Sequence, residues 1–312
     1  MKILYAGTPD FAVRPLQALV KAGFEVVGVV TQPDKPQGRK NILTPPPVKV
    51  AAEALGLPVL QFEKIKEEVA SLSVLGAQAM VTCAYGQILS QEVLDVFSKG
   101  VWNIHAGLLP KYRGASPIQS SILAGETQTG VCIMKTELGL DSGDVLLVKT
   151  TEILPGETYG ELSEKLSQIA ATAIVEGLNA LKSGNFFLTK QSDEGVNVVR
   201  KINKEQAKID FSRPAKELVD LIRAFNPAPV AYGVIEGQKL NVYKAKIGQM
   251  QEEYLSAQVG EIVCDNPKKG FLVRCGDGVL QLTEVQPSGG KKMDAAAFLN
   301  GRKAQKGQVF TW

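Results

Sequence analysis

Asn103, His105 and Asp141 are the side chains whose types and spacing offer the most definite chemistry. His105 is the only histidine among 312 residues, and imidazole, with an unperturbed pKa of about 6.5, exchanges protons readily near neutral pH. It follows Asn103 by two positions in Val101-Trp102-Asn103-Ile104-His105, which reads as the end of a buried strand. Asp141 falls in Glu137-Leu138-Gly139-Leu140-Asp141-Ser142-Gly143-Asp144, a break between two valine-rich segments and so a place for a loop. A carboxamide, an imidazole and a carboxylate together can carry out acyl transfer. The amide donates to a developing oxyanion, and the other two handle the proton of an attacking amine. No serine or cysteine nucleophile is required. Position alone leaves open a hydrogen-bonded structural histidine and a plain turn aspartate.

The elements that must position these groups are legible as alternating patterns. Residues 2–7 are apolar and precede Thr8-Pro9-Asp10, a turn and helix-start signal; residues 11–22 have helical apolar spacing, and 24–31 are rich in valine. The alternation continues with a helix at 48–55, strands at 58–62 and 77–85, a helix at 91–97 and a strand at 101–105. This predicts an α/β fold, a Rossmann-like and mostly parallel open sheet with helices on both faces, whose ligands bind outside the C-terminal strand ends. A long helix is expected at 158–182 and a short one at 215–224. Short apolar segments with glycine-containing turns beyond residue 230 fit a small antiparallel barrel. The resulting division is a first domain over 1–189, a linker over 190–208 lacking sustained periodicity, and a barrel domain over 209–312.

Composition narrows the function. The chain is 45% hydrophobic with a net charge of +3, its longest apolar stretches are only strand length, and no basic-then-apolar leader opens it, so a cytoplasmic protein is expected. Cys83, Cys132, Cys264 and Cys275 are scattered without a C-x-x-C pair, which argues for buried thiols and against a metal site. Ala6-Gly7-Thr8-Pro9 lacks the further glycines of a dinucleotide loop, and no P-loop is present. Charge is uneven: residues 1–189 carry 16 Lys+Arg against 18 Asp+Glu, and 190–312 carry 19 against 14. A basic second part suits a polyanion, although solubility alone also places lysines on surfaces.

Several ordered segments together resemble the methionyl-tRNA formyltransferase family of folate-dependent formyltransferases. They are Ala6-Gly7-Thr8-Pro9-Asp10-Phe11, Thr31-Gln32-Pro33-Asp34-Lys35-Pro36, Asn103-Ile104-His105 with Leu108-Leu109-Pro110 and Arg113-Gly114, Leu140-Asp141-Ser142-Gly143-Asp144, Arg223-Ala224-Phe225-Asn226-Pro227 and Gly276-Asp277-Gly278. The resemblance runs nearly end to end. It implies formyl transfer from 10-formyltetrahydrofolate to the α-amino group of methionyl initiator tRNA, with no metal. By position, Asn103 would polarise the formyl oxygen, and His105 and Asp141 would manage the amine proton.

Gly107-Leu108-Leu109-Pro110 corresponds to the family's folate-binding Ser-Leu-Leu-Pro, with glycine in place of serine. Ala84, Tyr85 and Gly86 would form a pterin-facing edge, or else an ordinary strand end. The basic, proline-rich stretch 32–47 would enter the acceptor stem, with Arg39 as the tRNA contact supported by Lys40 and Lys35. From composition alone the same stretch reads as a solvated loop. The C-terminal barrel would be the family's OB-like tRNA-binding domain, with Lys204, Lys208, Lys244, Lys246, Lys291 and Lys292 as phosphate-contact candidates. A monomer is expected. Two rival readings remain: formylation of an amino-sugar nucleotide or other small amine, and a non-catalytic RNA-binding protein.

Overall fold

In the computed structural model, which describes residues 1–38, 41–301 and 304–312, the chain falls into two compact units. The first comprises Met1–Pro117, Gln128–Thr151 and Ser163–Val199; the second comprises Ile118–Thr127, Glu152–Leu162 and Arg200–Trp312. Strands and helices follow in the order β1 (Lys2–Gly7), α1 (Val13–Lys21), β2 (Glu25–Thr31), β3 (Lys35–Gln37), β4 (Ile42–Thr44), α2 (Pro47–Ala54), β5 (Val59–Gln61), α3 (Val69–Ser73), β6 (Ala79–Cys83), α4 (Gln91–Leu94), β7 (Val101–His105), β8 (Arg113–Gly114), α5 (Pro117–Leu123), β9 (Gln128–Lys135), β10 (Val145–Glu152), α6 (Tyr159–Ser183) and β11 (Val198–Val199).

The main sheet of the first unit has the order β10-β9-β7-β6-β1-β2-β5. Its β7-β6-β1-β2-β5 part is parallel, as the alternating pattern predicts. Strand β6 is buried at all five positions and β1 at all but its first residue, the mark of strands covered on both faces. Leu4, Leu72, Met80 and Val93 are fully enclosed in one cluster, each contributing about 1.5–3 kcal/mol of burial. The sequence pattern does not reveal that β9 runs antiparallel to β7, pairing Cys132 with His105 and Met134 with Asn103. Alternation of buried residues is the same in either direction.

Two stretches expected to lack regular structure each contain strands. Within 32–47, β3 and β4 form a two-stranded hairpin pairing Lys35 with Thr44, with Ile42 and Leu43 largely exposed. Within 190–208, β11 pairs in parallel with β8.

In the second unit, α7 (Ala215–Ala224) precedes β12 (Ala231–Ile235), β13 (Gln238–Ile247), β14 (Ile262–Asn266), β15 (Gly270–Arg274), β16 (Val279–Pro287), β17 (Met293–Asp294), α8 (Ala295–Asn300) and β18 (Phe310–Thr311). The strands pair antiparallel in the order β14-β15-β16-β13-β12-β18. A bridge between Glu261 and Val309 and the bond from Ile262 N to Gln308 O join the two ends, curling the sheet into a small barrel. Phe211, Phe271 and Phe310 meet in the unit's core. Two sequence motifs find structural roles here. Asp277 accepts from Ala215 N at 2.7 Å and so caps α7, while Arg223 bonds Asp220 and the Glu157 carbonyl. Thr158 and Glu161 form a reciprocal capping box at the start of α6. Among the described residues, no helix is long and apolar enough to cross a membrane.

Candidate active site

Asn103 and His105 lie on the same face of β7, because side chains two apart on a strand point the same way. The partner strand orients the amide: Thr82, opposite Asn103 on β6, donates from Oγ1 to Asn103 Oδ1 at 2.8 Å. That bond fixes which end of the carboxamide is the donor. Asn103 Nδ2 then donates to Asp141 Oδ1 at 3.3 Å, leaving its second N–H without a partner among the described residues.

Asp141 reaches the pair from the loop between β9 and β10. Its Oδ2 accepts from Gly114 N at 2.7 Å and lies 3.5 Å from His105 Nδ1. His105 is 4% exposed. Burial pushes its pKa down, against the opposing pull of the Asp141 charge and the Tyr112 backbone carbonyl. Because Nε2 has no partner among the described residues, the carbonyl is held by Nδ1, which therefore carries the ring proton. Nε2 is left as a buried lone pair, the form a proton acceptor needs. The three groups expected from the sequence thus come together, and they can accept one proton and stabilise one oxyanion.

The surrounding loops adopt backbone conformations that few residues tolerate. Ala84, Tyr112 and Asp141 have φ of 46°, 56° and 45°, half of the six non-glycine residues with positive φ among those described. Such outliers persist where the surroundings over-determine them and gather at functional sites. Gly114, at φ 108°, brings its N–H to Asp141 only because it has no side chain; a Cβ there would stand 2.5 Å from the Val199 carbonyl oxygen. Gly114→Ala is therefore expected to cost about 1–3 kcal/mol of stability and to reduce turnover together with it. Thermal unfolding and kcat are the measurements, and an unchanged kcat would remove Gly114 from the site.

The expected folate loop is partly built into the protein. Gly107 is buried, and a Cβ there would sit 3.1 Å from His105 Nε2 and 3.0 Å from Pro117 Cβ, so glycine keeps the face of the imidazole open. Leu109 packs against Cys132, Met134 and Val145. Leu108 lies over Gly130, while Leu108 and Pro110 stay half-exposed. At the other edge, Ala84 and Gly86 are exposed. The Tyr85 carbonyl, however, accepts from Thr8 Oγ1 and Gln32 Nε2, so both its lone pairs are used internally. The Tyr85 side chain is buried, and burial pushes its pKa up to about 12. A flat heterocycle would thus find Ala84 and Gly86 rather than Tyr85 available. An unpartnered Nε2, a free amide N–H and a rim that includes the small residues Ala84, Gly86 and Gly107 suit a small formyl group on a flat carrier.

Lys35 is exposed on β3, whereas Arg39 and Lys40 lie outside the described residues. Lys204, Lys208, Lys244, Lys246, Lys291 and Lys292 are all exposed, though Lys292 is paired with Glu284 at 3.0 Å. The four cysteines are buried and free, with burial raising Cys83 to about 12 and Cys132 to about 11. They take no part in the site. Sequence reasoning misses Thr82, Tyr112 and Gln191, the last of which bonds the Asp141 loop. Thr82 could have been found as the one hydroxyl in an apolar strand; Gln191 sits in an aperiodic polar stretch and gives no signal.

The chain also matches known protein families along its length. Residues 1–178 match the formyl transferase family model and residues 201–303 match that of the formyl transferase C-terminal domain. The fold and these two matches define a formyl transferase. The chain is 45% identical over 311 residues to a methionyl-tRNA formyltransferase of Neisseria meningitidis, covering 98% of this chain and 99% of that one. It is 44% identical over 313 residues to that of Symbiobacterium thermophilum, covering 100% and 95%. The chain belongs to the methionyl-tRNA formyltransferase family. Among solved structures, an N-formyltransferase from Helicobacter canadensis in complex with folinic acid and dTDP-3-aminofucose superposes with a TM-score of 0.68 at 18% identity, covering 90% of this chain and 99% of that one. HypX from Aquifex aeolicus in complex with tetrahydrofolic acid superposes at 0.65 and 17% identity; it covers all of this chain, which spans 51% of HypX. At these identities the two structures share the fold.

Proposed function

We propose that this chain transfers the formyl group of 10-formyltetrahydrofolate to the α-amino group of methionyl initiator tRNA, as a cytoplasmic monomer. The observation that carries the reading is the buried, unpartnered Nε2 of His105 beside an Asn103 amide with one N–H free. In the reaction, His105 Nε2 accepts the proton lost by the attacking α-amine as the new C–N bond forms. Asn103 Nδ2 donates to the formyl oxygen as it gains negative charge. Asp141 steadies the imidazole as it becomes cationic and holds the Asn103 amide in place. His105 then returns the proton to the folate nitrogen as the old C–N bond breaks, so protons balance over the cycle. Folate supplies the activated one-carbon unit; Gly107, Leu108, Leu109, Pro110, Ala84 and Gly86 line its place.

The basic hairpin and barrel support a tRNA acceptor over a small amine. Arg39, with Lys40 and Lys35, is assigned to the acceptor stem. Arg39→Ala is expected to raise KM for charged tRNA and to lower the salt-dependence slope by about one, with kcat at saturation retained. A formylation assay comparing methionyl initiator tRNA, methionyl elongator tRNA, free methionine and an amino-sugar nucleotide tests the whole reading. Preferential turnover of the initiator is the expected result. Turnover of the sugar alone, or of none, overturns it.

A further inference from the structure

The polar segment after α6 lies against the site. Thr189 makes a reciprocal backbone pair with Val145, with N–O distances of 2.8 and 2.9 Å, just past the Asp141 loop. Two residues on, Gln191 Nε2 donates to the carbonyls of Asp141 at 2.8 Å and Gly143 at 2.7 Å. Its Oε1 accepts from Arg113 Nε at 3.1 Å and Nη2 at 2.8 Å. Both donors and both lone pairs of this amide are used, and donors and acceptors fall on opposite ends, so its orientation is unambiguous. Asn197 then accepts from Tyr112 N through Oδ1 and from Arg113 N through its carbonyl, and Val198–Val199 pairs with Arg113–Gly114. The segment therefore braces two loops: the one bearing Asp141, and the one whose Tyr112 carbonyl holds His105 Nδ1 and whose Gly114 N–H holds Asp141 Oδ2.

We infer that Gln191 is a positioning residue for the transfer reaction, tying the Asp141 loop to the Arg113-Gly114 loop and setting the carboxylate against the imidazole. The inference rests on the function proposed above. Burial does not hold the Asp141 loop, since Leu138 is 65% and Leu140 is 55% exposed. Asp141 also sits at a φ of 45°, a conformation tolerated in aspartate but one that needs outside support. Hydrogen bonds supply that support, and the Gln191 amide bonds two of the loop's carbonyls. Arg113 in turn has no carboxylate partner among the described residues; the neutral Gln191 oxygen aligns its guanidinium without neutralising it.

Gln191→Ala and Gln191→Glu test the assignment in the full chain, with steady-state formylation of methionyl initiator tRNA as the readout. Alanine removes every bond. Glutamate keeps the size and the Arg113 partner but sets a carboxylate against two carbonyls. Both are expected to lower kcat by about tenfold to a hundredfold, the scale of an ångström-level misplacement of a reacting group, with KM for folate and tRNA changed by less than about threefold. Gln191→Ala should also move the acid limb of kcat to lower pH, because a displaced Asp141 raises the His105 pKa less. A brace that only held the fold together would lower the unfolding temperature and leave that limb in place. If Gln191→Ala does not fold, the split of kcat against KM in Gln191→Glu decides. Wild-type kcat in a folded variant, or a fall in kcat of Gln191→Ala with an unmoved acid limb, overturns the inference. A wild-type protein inactive on charged tRNA would instead overturn the functional reading, so the two failures are distinguishable.

Discussion

Replacing His105 by glutamine is expected to lower kcat by about two to four orders of magnitude while the protein remains folded. Glutamine can still donate to the Tyr112 carbonyl but carries no lone pair basic enough to take the amine proton. The change should fall on kcat, and KM for both substrates should hold, because the imidazole acts in the transition state rather than in ground-state binding. Stability gives a second readout. Burial depresses the His105 pKa in the folded state, so the unfolded chain, with a pKa near about 6.5, binds the proton first as pH falls. The wild type should therefore keep this increment of stability above about pH 6.5 and lose it as pH falls toward the folded-state pKa. The glutamine variant should lack that part of the slope. Single-turnover formylation and unfolding midpoints between pH 5 and 8 measure both; kcat near wild type would remove His105 from the chemistry.

What the sequence discloses of this site depends on how each residue is held. Asn103 and His105 end an apolar run, so a strand, its burial and the shared face of two residues two apart follow from pattern alone. Helix α7 is readable for the same reason, as its buried Leu218, Leu221 and Ile222 recur at helical spacing. Asp141 is different. It lies in an exposed loop whose place is set by bonds to Gly114, Asn103 and Gln191, partners that are 27, 38 and 50 positions away. Nothing local announces such a bond: the break between two valine-rich segments marks a loop, and the family resemblance is what assigns the residue its role. Gln191 is further hidden, because an aperiodic polar stretch looks alike whether it is solvated or strapped to a catalytic loop. The antiparallel β9 escapes for a related reason: buried valines record that a strand is covered, and direction is set by the connection before it.

The same geometry predicts what happens when only the Asp141 charge is removed. In Asp141→Asn one carboxamide end becomes a donor, yet both carboxylate oxygens now face donors, Gly114 N at 2.7 Å and Asn103 Nδ2 at 3.3 Å. One of these bonds must be lost, and keeping the shorter one turns the new NH2 against the Asn103 amide. The substitution therefore loosens the oxyanion donor and withdraws the charge that steadies an imidazolium at His105, so kcat is expected to fall by about two to four orders of magnitude. The acid limb of the residual activity identifies the proton acceptor. If His105 accepts the proton, the limb persists and moves to lower pH, because the Asp141 charge that raises the imidazole pKa is gone. If Asp141 itself accepts it, no limb attributable to that carboxyl can survive its conversion to an amide. The Nδ1–H held by Tyr112 and the unpartnered Nε2 favour the first outcome, and a pH-rate profile of the single variant beside the wild type separates the two.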